Sequence, residues 1–175
     1  MPWLKTELKG RGYDVWVPEL PGNETPNRQI YNDFLFSKGW DFANNLVVGH
    51  SSGAVAVMNL LQDERCPPIK TAVLVSVWAN TAKANLNHGG LTRERFKDLF
   101  PQDGLNLGMI KSKANHLLFI HSDNDPYCPL EQAEWLAKQT SSQIIVVSGG
   151  DHLNYKAGFS ELPQLTKTLD KNGWL

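Results

Sequence analysis

The residues in this chain best suited to do chemistry are Gly49-His50-Ser51-Ser52-Gly53, a serine held between glycines. A G-x-S-x-G pentapeptide is only moderately specific, because a glycine-rich turn without chemistry has the same composition. Its context sharpens it. The apolar run Leu46-Val47-Val48 leads directly in, and the apolar segment Ala54 to Leu61 leads directly out. A strand passing sharply into a helix holds the serine in a strained conformation and needs small residues two places before and after it. Gly49 and Gly53 meet that need, with Ser52 and Ala54 keeping the crossing tight. Such a turn also leaves the backbone N–H of Ser52 at a helix N-terminus, where it can face a developing oxyanion.

A serine hydroxyl is a weak nucleophile until a base removes its proton, so a histidine and an orienting carboxylate must accompany it. On a strand-turn-helix serine the partners follow in the order Ser, Asp, His, each on a loop after a later strand. Leu117–Ile120 is such a strand and ends in His121-Ser122-Asp123-Asn124-Asp125-Pro126-Tyr127-Cys128-Pro129; Ile144–Val147 is another and ends in Ser148-Gly149-Gly150-Asp151-His152. Both loops leave the carboxyl ends of their strands, the edge where open α/β sheets build sites. Asp125 and Asp123 compete as the acid. Asp125 before Pro-Tyr-Cys-Pro is similar to the D-x-x-V-P arrangement of α/β-hydrolases, and leaves Asp123 to shape the loop through an Asx-type turn. Among five histidines, His152 alone follows the last strand. His50 lies inside the turn and is expected to point away; His121 precedes the acid loop; His88 and His116 fall in or near an irregular region. Asp151 could support a charged imidazole at His152.

The elements that must hold these residues alternate as strand and helix, which implies a mostly parallel sheet covered by helices in one α/β domain. Pro2 suits the first turn of a helix carrying Trp3, Leu4 and Leu8, stopping near Gly10 and Gly12. Tyr13 to Val17 is expected to be a strand closed by Pro18, and Glu19 to Asn27 a loop. Arg28 to Ser37 has helical spacing of Ile30, Tyr31, Phe34 and Leu35. The helix after Ser51 should be deeply buried and stopped by Cys66-Pro67-Pro68. Ala72 to Val77 is expected as a strand buried on both faces. Trp78 to Asn115 is the least regular stretch, with an amphipathic piece over Arg93 to Phe100; it suits either a lid or an ordinary surface excursion. Helices over Leu130–Gln139 and Leu162–Lys171 complete the pattern. An acyl pocket would draw on residues after Val77 and on the Glu19–Asn27 loop, with Trp78, Phe96 and Phe100 as an apolar wall.

Composition limits the alternatives. With 175 residues, 41% hydrophobic, 20% charged and a net charge of −1, the chain suits one globular domain. No basic run interleaves with aromatics, so no nucleic-acid partner is indicated. No window reaches the ~18 apolar residues of a membrane span, and no signal peptide is visible, so the expected location is cytoplasmic. Cys66 and Cys128 lack metal-ligand spacing and suit buried free thiols. No metal or organic cofactor is implied.

These motifs together resemble the small serine-hydrolase family that includes the retinoblastoma-binding serine hydrolase and its bacterial relatives. The resemblance rests on Pro2-Trp3-Leu4, Val17-Pro18-Glu19-Leu20-Pro21, the Gly49–Ala54 turn, Asp123-Asn124-Asp125-Pro126 and Asp151-His152-Leu153-Asn154, with Gly158 and Pro163 beyond. It implies an α/β-hydrolase fold, Ser51 as nucleophile, Asp125 as acid, His152 as base, and a small carboxylic ester, thioester or amide as substrate. Two features depart from the family. An L-x-C-x-E peptide of the kind that meets the retinoblastoma protein is absent, so that partner is not expected. The family also opens with a strand and a His-Gly-type loop before its Pro-Trp-Leu helix. That strand lies mid-sheet, and its loop gives the second oxyanion donor. The expectation is therefore an N-terminally truncated domain, with Met1 an internal methionine of a longer protein. The other explanation is a short chain whose sheet closes its gap or pairs with another molecule. An incomplete oxyanion hole would favour a catalytically weak binding or scaffold protein on the same fold.

Overall fold

The computed structural model describes residues 2–80 and 92–175. Among these residues four parallel strands form one sheet in the order β1-β2-β3-β4: β1 (Leu46–His50), β2 (Ile69–Val75), β3 (Ala114–Ser122) and β4 (Gln143–Val147). Helices connect them: α3 (Ser52–Leu61) crosses from β1 to β2, α4 (Leu107–Lys113) precedes β3, and α5 (Leu130–Gln139) crosses from β3 to β4. Helices α1 (Pro2–Gly10) and α2 (Arg28–Ser37) come before the sheet, and α6 (Pro163–Asn172) follows it.

Side chains on adjacent strand positions face opposite ways, and the central strands show it. Ala72 and Leu74 of β2 join Leu117 and Phe119 of β3 in a core under α2, α3, α4 and α5. Val73, Val75, Leu118 and Ile120 face the other layer, where Leu4 and Leu8 of α1 meet Leu165 and Leu169 of α6. Both faces are covered, which is why these strands carry continuous apolar runs. Helix α3 is buried from Ala54 through Leu61 and ends before Cys66-Pro67-Pro68. Asn27 caps α2 by accepting the N–H groups of Gln29 and Ile30 at 2.9 and 3.1 Å.

The structure corrects three expectations. Tyr13–Val17 is not a strand. It shares with β1 the lining of a cavity of about 510 Å³, to which Val15, Trp16, Leu46, Val47 and Val48 contribute, and no strand among the described residues pairs with it. Second, β2 begins at Ile69 and ends at Val75, because Ser76 takes φ +48° and turns the chain out of the sheet. Third, the stretch after Trp78 contains regular structure. A 3₁₀ turn spans Glu94–Phe96, and α4 starts where Asn106 accepts the Met109 N–H at 2.9 Å. Residues 81–91, including His88, lie outside the described residues, as does Met1.

Candidate active site

Ser51 sits between β1 and α3 with φ +56° and ψ −124°, a conformation costing on the order of 1–3 kcal/mol for a residue with a side chain. Its N–H donates to the Val75 carbonyl at 2.9 Å and its carbonyl accepts the Ala54 N–H at 2.9 Å, which fixes the turn. The glycines are not equivalent. A Cβ on Gly49 would lie 2.3 Å from the Gly53 carbonyl oxygen and 2.7 Å from the Ala54 Cα. A Cβ on Gly53 would meet nothing within 4 Å, so the tight crossing requires only the first glycine.

The loops after β3 and β4 converge on Ser51. His152 Nε2 is 3.0 Å from Ser51 Oγ, and His152 Nδ1 is 2.8 Å from Asp125 Oδ2. With Nδ1–H donating to the carboxylate, Nε2 is left as the acceptor for the serine hydroxyl. The Asp125 side chain is completely buried and also accepts the N–H groups of Tyr127 and Cys128, at 2.9 and 3.0 Å. Burial pushes its carboxyl upward, but the His152 hydrogen bond and these two amides outweigh that and hold it below the usual carboxylate range. The edge of the Tyr127 ring packs on His152 with centroids 4.7 Å apart.

Asp123 stands apart from Ser51. Its Oδ1 accepts the Gly149 N–H at 2.8 Å, a bond that lowers its own pKa, so it joins the two loops and the Asx-type turn belongs to Asp125. Asp151 is exposed, with φ +49°, and its carboxylate makes no hydrogen bond or ion pair among the described residues. His50 does not point away. Its Nε2 lies 2.8 Å from the His152 carbonyl and its ring centroid 4.9 Å from that of His152. His121 is buried behind the acid; its Nε2–H donates to the Cys128 carbonyl at 2.7 Å, and burial lowers its pKa. His116 stacks on Trp174, with centroids 4.7 Å apart.

A cavity of about 350 Å³ opens at Ser51 and His152, walled by Trp78, Phe96, Tyr127 and Cys128, with Lys156 at its margin. Phe100 backs Trp78 at 5.3 Å without lining the cavity. No described residue of the Glu19–Asn27 loop reaches it; Leu20 lines the other cavity instead. The sequence reading gave Tyr127 no role and expected His50 to point away. A ring two residues after the acid and a histidine immediately before the nucleophile are the signals that could have raised them.

Donor atoms of Asp125, Cys128 and His152 lie within 4.8 Å of one another, the metal-capable grouping among the described residues. Two of the three are already bonded to each other, and burial, with the Asp125 charge, pushes the Cys128 thiol well up. The set therefore suits proton movement better than cation binding. Cys66 is also a buried free thiol, raised to about 11 by burial. No helix among the described residues is long and apolar enough to cross a membrane.

Known proteins share this arrangement of elements. The Bacillus subtilis ydeN gene product superposes with a TM-score of 0.84 at 24% identity, over 97% of this chain and 88% of that one. A meta-cleavage product hydrolase from Pseudomonas fluorescens superposes with a TM-score of 0.55 at 16% identity, over 86% of this chain and 71% of that one. These likenesses identify the fold as that of the α/β-hydrolases. In sequence, the rat (Rattus norvegicus) serine hydrolase RBBP9 is 21% identical over 168 residues, covering 95% of this chain and 84% of the relative. The family description for serine hydrolases matches residues 11–171, and the chain belongs to that family.

Proposed function

We propose that this chain hydrolyses a small carboxylic ester, or a related thioester or amide, through an acyl-enzyme at Ser51. The observation that carries the reading is the unbroken hydrogen-bond relay from Ser51 Oγ through His152 to buried Asp125, at the mouth of an apolar cavity. Ser51 Oγ attacks the acyl carbon while its proton passes to His152 Nε2. Asp125 holds the ring in the reactive tautomer and stabilises the imidazolium. The carbonyl oxygen becomes an oxyanion facing the Ser52 N–H, one of the first amides of α3 and so without a partner inside the helix.

Collapse of the intermediate breaks the bond to the leaving group, which takes the proton from His152. Water then gives its proton to His152 and attacks the acyl-enzyme, and the acid departs as Ser51 recovers its hydrogen. The walls formed by Trp78, Phe96 and Tyr127 favour an apolar acyl group. A fluorophosphonate probe should label the folded wild-type chain at Ser51, and Ser51→Ala should abolish labelling. A well-folded wild type that takes up no probe would sink the reading.

A further inference from the structure

The loop that carries His152 combines one internal bond, from the Leu153 N–H to the Gly150 carbonyl at 3.0 Å, with bonds from other parts of the chain. Asp151 and Leu153, on either side of the histidine, have φ +49° and +46°, in the region that side chains disfavour. Bonds from outside the segment hold it there. Two come from the acid loop: Asp123 Oδ1 accepts the Gly149 N–H, and Asn124 Oδ1 accepts the Asp151 N–H, both at 2.8 Å. These bonds tie the base loop to the acid loop, and neither involves the turn that carries Ser51.

We propose that His50, the residue immediately before the nucleophile, is a positioning residue that sets the register of His152 against Ser51. Its Nε2–H donates to the His152 carbonyl at 2.8 Å, and its ring packs on the His152 ring at 4.9 Å. Because His50 and Ser51 are adjacent in the chain, one peptide unit links the nucleophile to the backbone of its base. A carbonyl can only accept, so the bond requires the Nε2–H tautomer of His50. Burial, the largest influence on this imidazole, brings its pKa down to about 4, so at neutral pH it can tether His152 without placing a second positive charge beside the imidazolium.

This inference rests on the hydrolase reading, and its test separates the two. In the wild-type chain, ¹⁵N NMR of the His50 imidazole should show the Nε2–H tautomer at pH 7; an Nδ1–H tautomer overturns the tether without any variant. His50→Leu keeps the bulk and removes the donor. It should lower kcat for a p-nitrophenyl ester about 10- to 100-fold at nearly constant KM, since a shift of about 1 Å between reacting groups costs roughly that much. His50→Gln, whose amide reaches as far as Nε2, should restore kcat to within about threefold of wild type. Circular dichroism establishes that both variants are folded. A folded Leu variant with wild-type kcat, or Leu and Gln variants impaired alike, overturns the inference while leaving the hydrolase reading intact. A wild type inert to the fluorophosphonate probe overturns both.

Discussion

Asn124 accepts the Asp151 N–H at 2.8 Å across 27 residues of chain, tying the loop of the acid directly to the loop of the base. The same Oδ1 lies 2.6 Å from Ser122 Oγ, which donates to it from the end of β3. Asn124 therefore connects a rigid strand to the strained turn beside His152. Replacing it with alanine leaves the Asp151 N–H without its partner. Asn124→Ala should cost about 1–2 kcal/mol in urea denaturation and lower ester turnover. Unchanged stability and unchanged turnover together would show that the turn holds itself.

The two glycines of the elbow should respond oppositely. Gly49→Ala drives a Cβ to 2.3 Å from the Gly53 carbonyl oxygen, in backbone that cannot yield without moving α3. It should cost about 3 kcal/mol and abolish probe labelling at Ser51. Gly53→Ala meets open space inside a helix, where alanine is the better residue. It should be neutral or stabilising by about 0.5 kcal/mol. Thermal denaturation of the pair decides the point, and equal losses would contradict the asymmetry.

Asp125→Asn keeps the shape of the buried site but removes the charge and allows the amide to favour the wrong histidine tautomer. Turnover should fall about 10⁴-fold with little change in KM. Asp123→Asn, made alongside, should retain most of the activity, because Asp123 meets the Gly149 amide and not His152. A reversed ranking would transfer the acid's role to Asp123.

Stability should decline on mild acidification. His50 is brought from 6.5 to about 4, chiefly by burial, with the His152 charge also opposing protonation and Asp125 favouring it. His121, which faces Asp125, His152 and Glu131, is lowered in the same direction and again chiefly by burial. The unfolded chain takes up protons at these rings near pH 6.5, and the folded chain does not. The His50 contribution is complete above that pH and shrinks as pH falls toward 4, by up to about 1.4 kcal/mol per pH unit, and the His121 contribution declines in the same direction. Urea midpoints at pH 7.5, 6 and 5 should fall in that order; a flat series would contradict buried neutral histidines.

Local patterns in the sequence were enough to identify Ser51, Asp125 and His152 as candidates, because each role leaves a mark within a few residues. The serine needs a glycine where strand and helix cross, and the acid and base need loops at the ends of apolar strands in a fixed chain order. Buried central strands carry continuous apolar runs for a similarly local reason, so the alternation that builds the sheet was legible too. Tyr13–Val17 misled because its β-branched and aromatic residues fit a pleated surface, yet a strand exists only where a second backbone lies within pairing distance. The tethers that hold the site, from Asp123 to Gly149, from Asn124 to Asp151 and from His50 to His152, join residues 26, 27 and 102 positions apart. No local spacing encodes such bonds. They exist only once the sheet has brought three strand ends to one edge, and that convergence was decided by the tertiary structure alone.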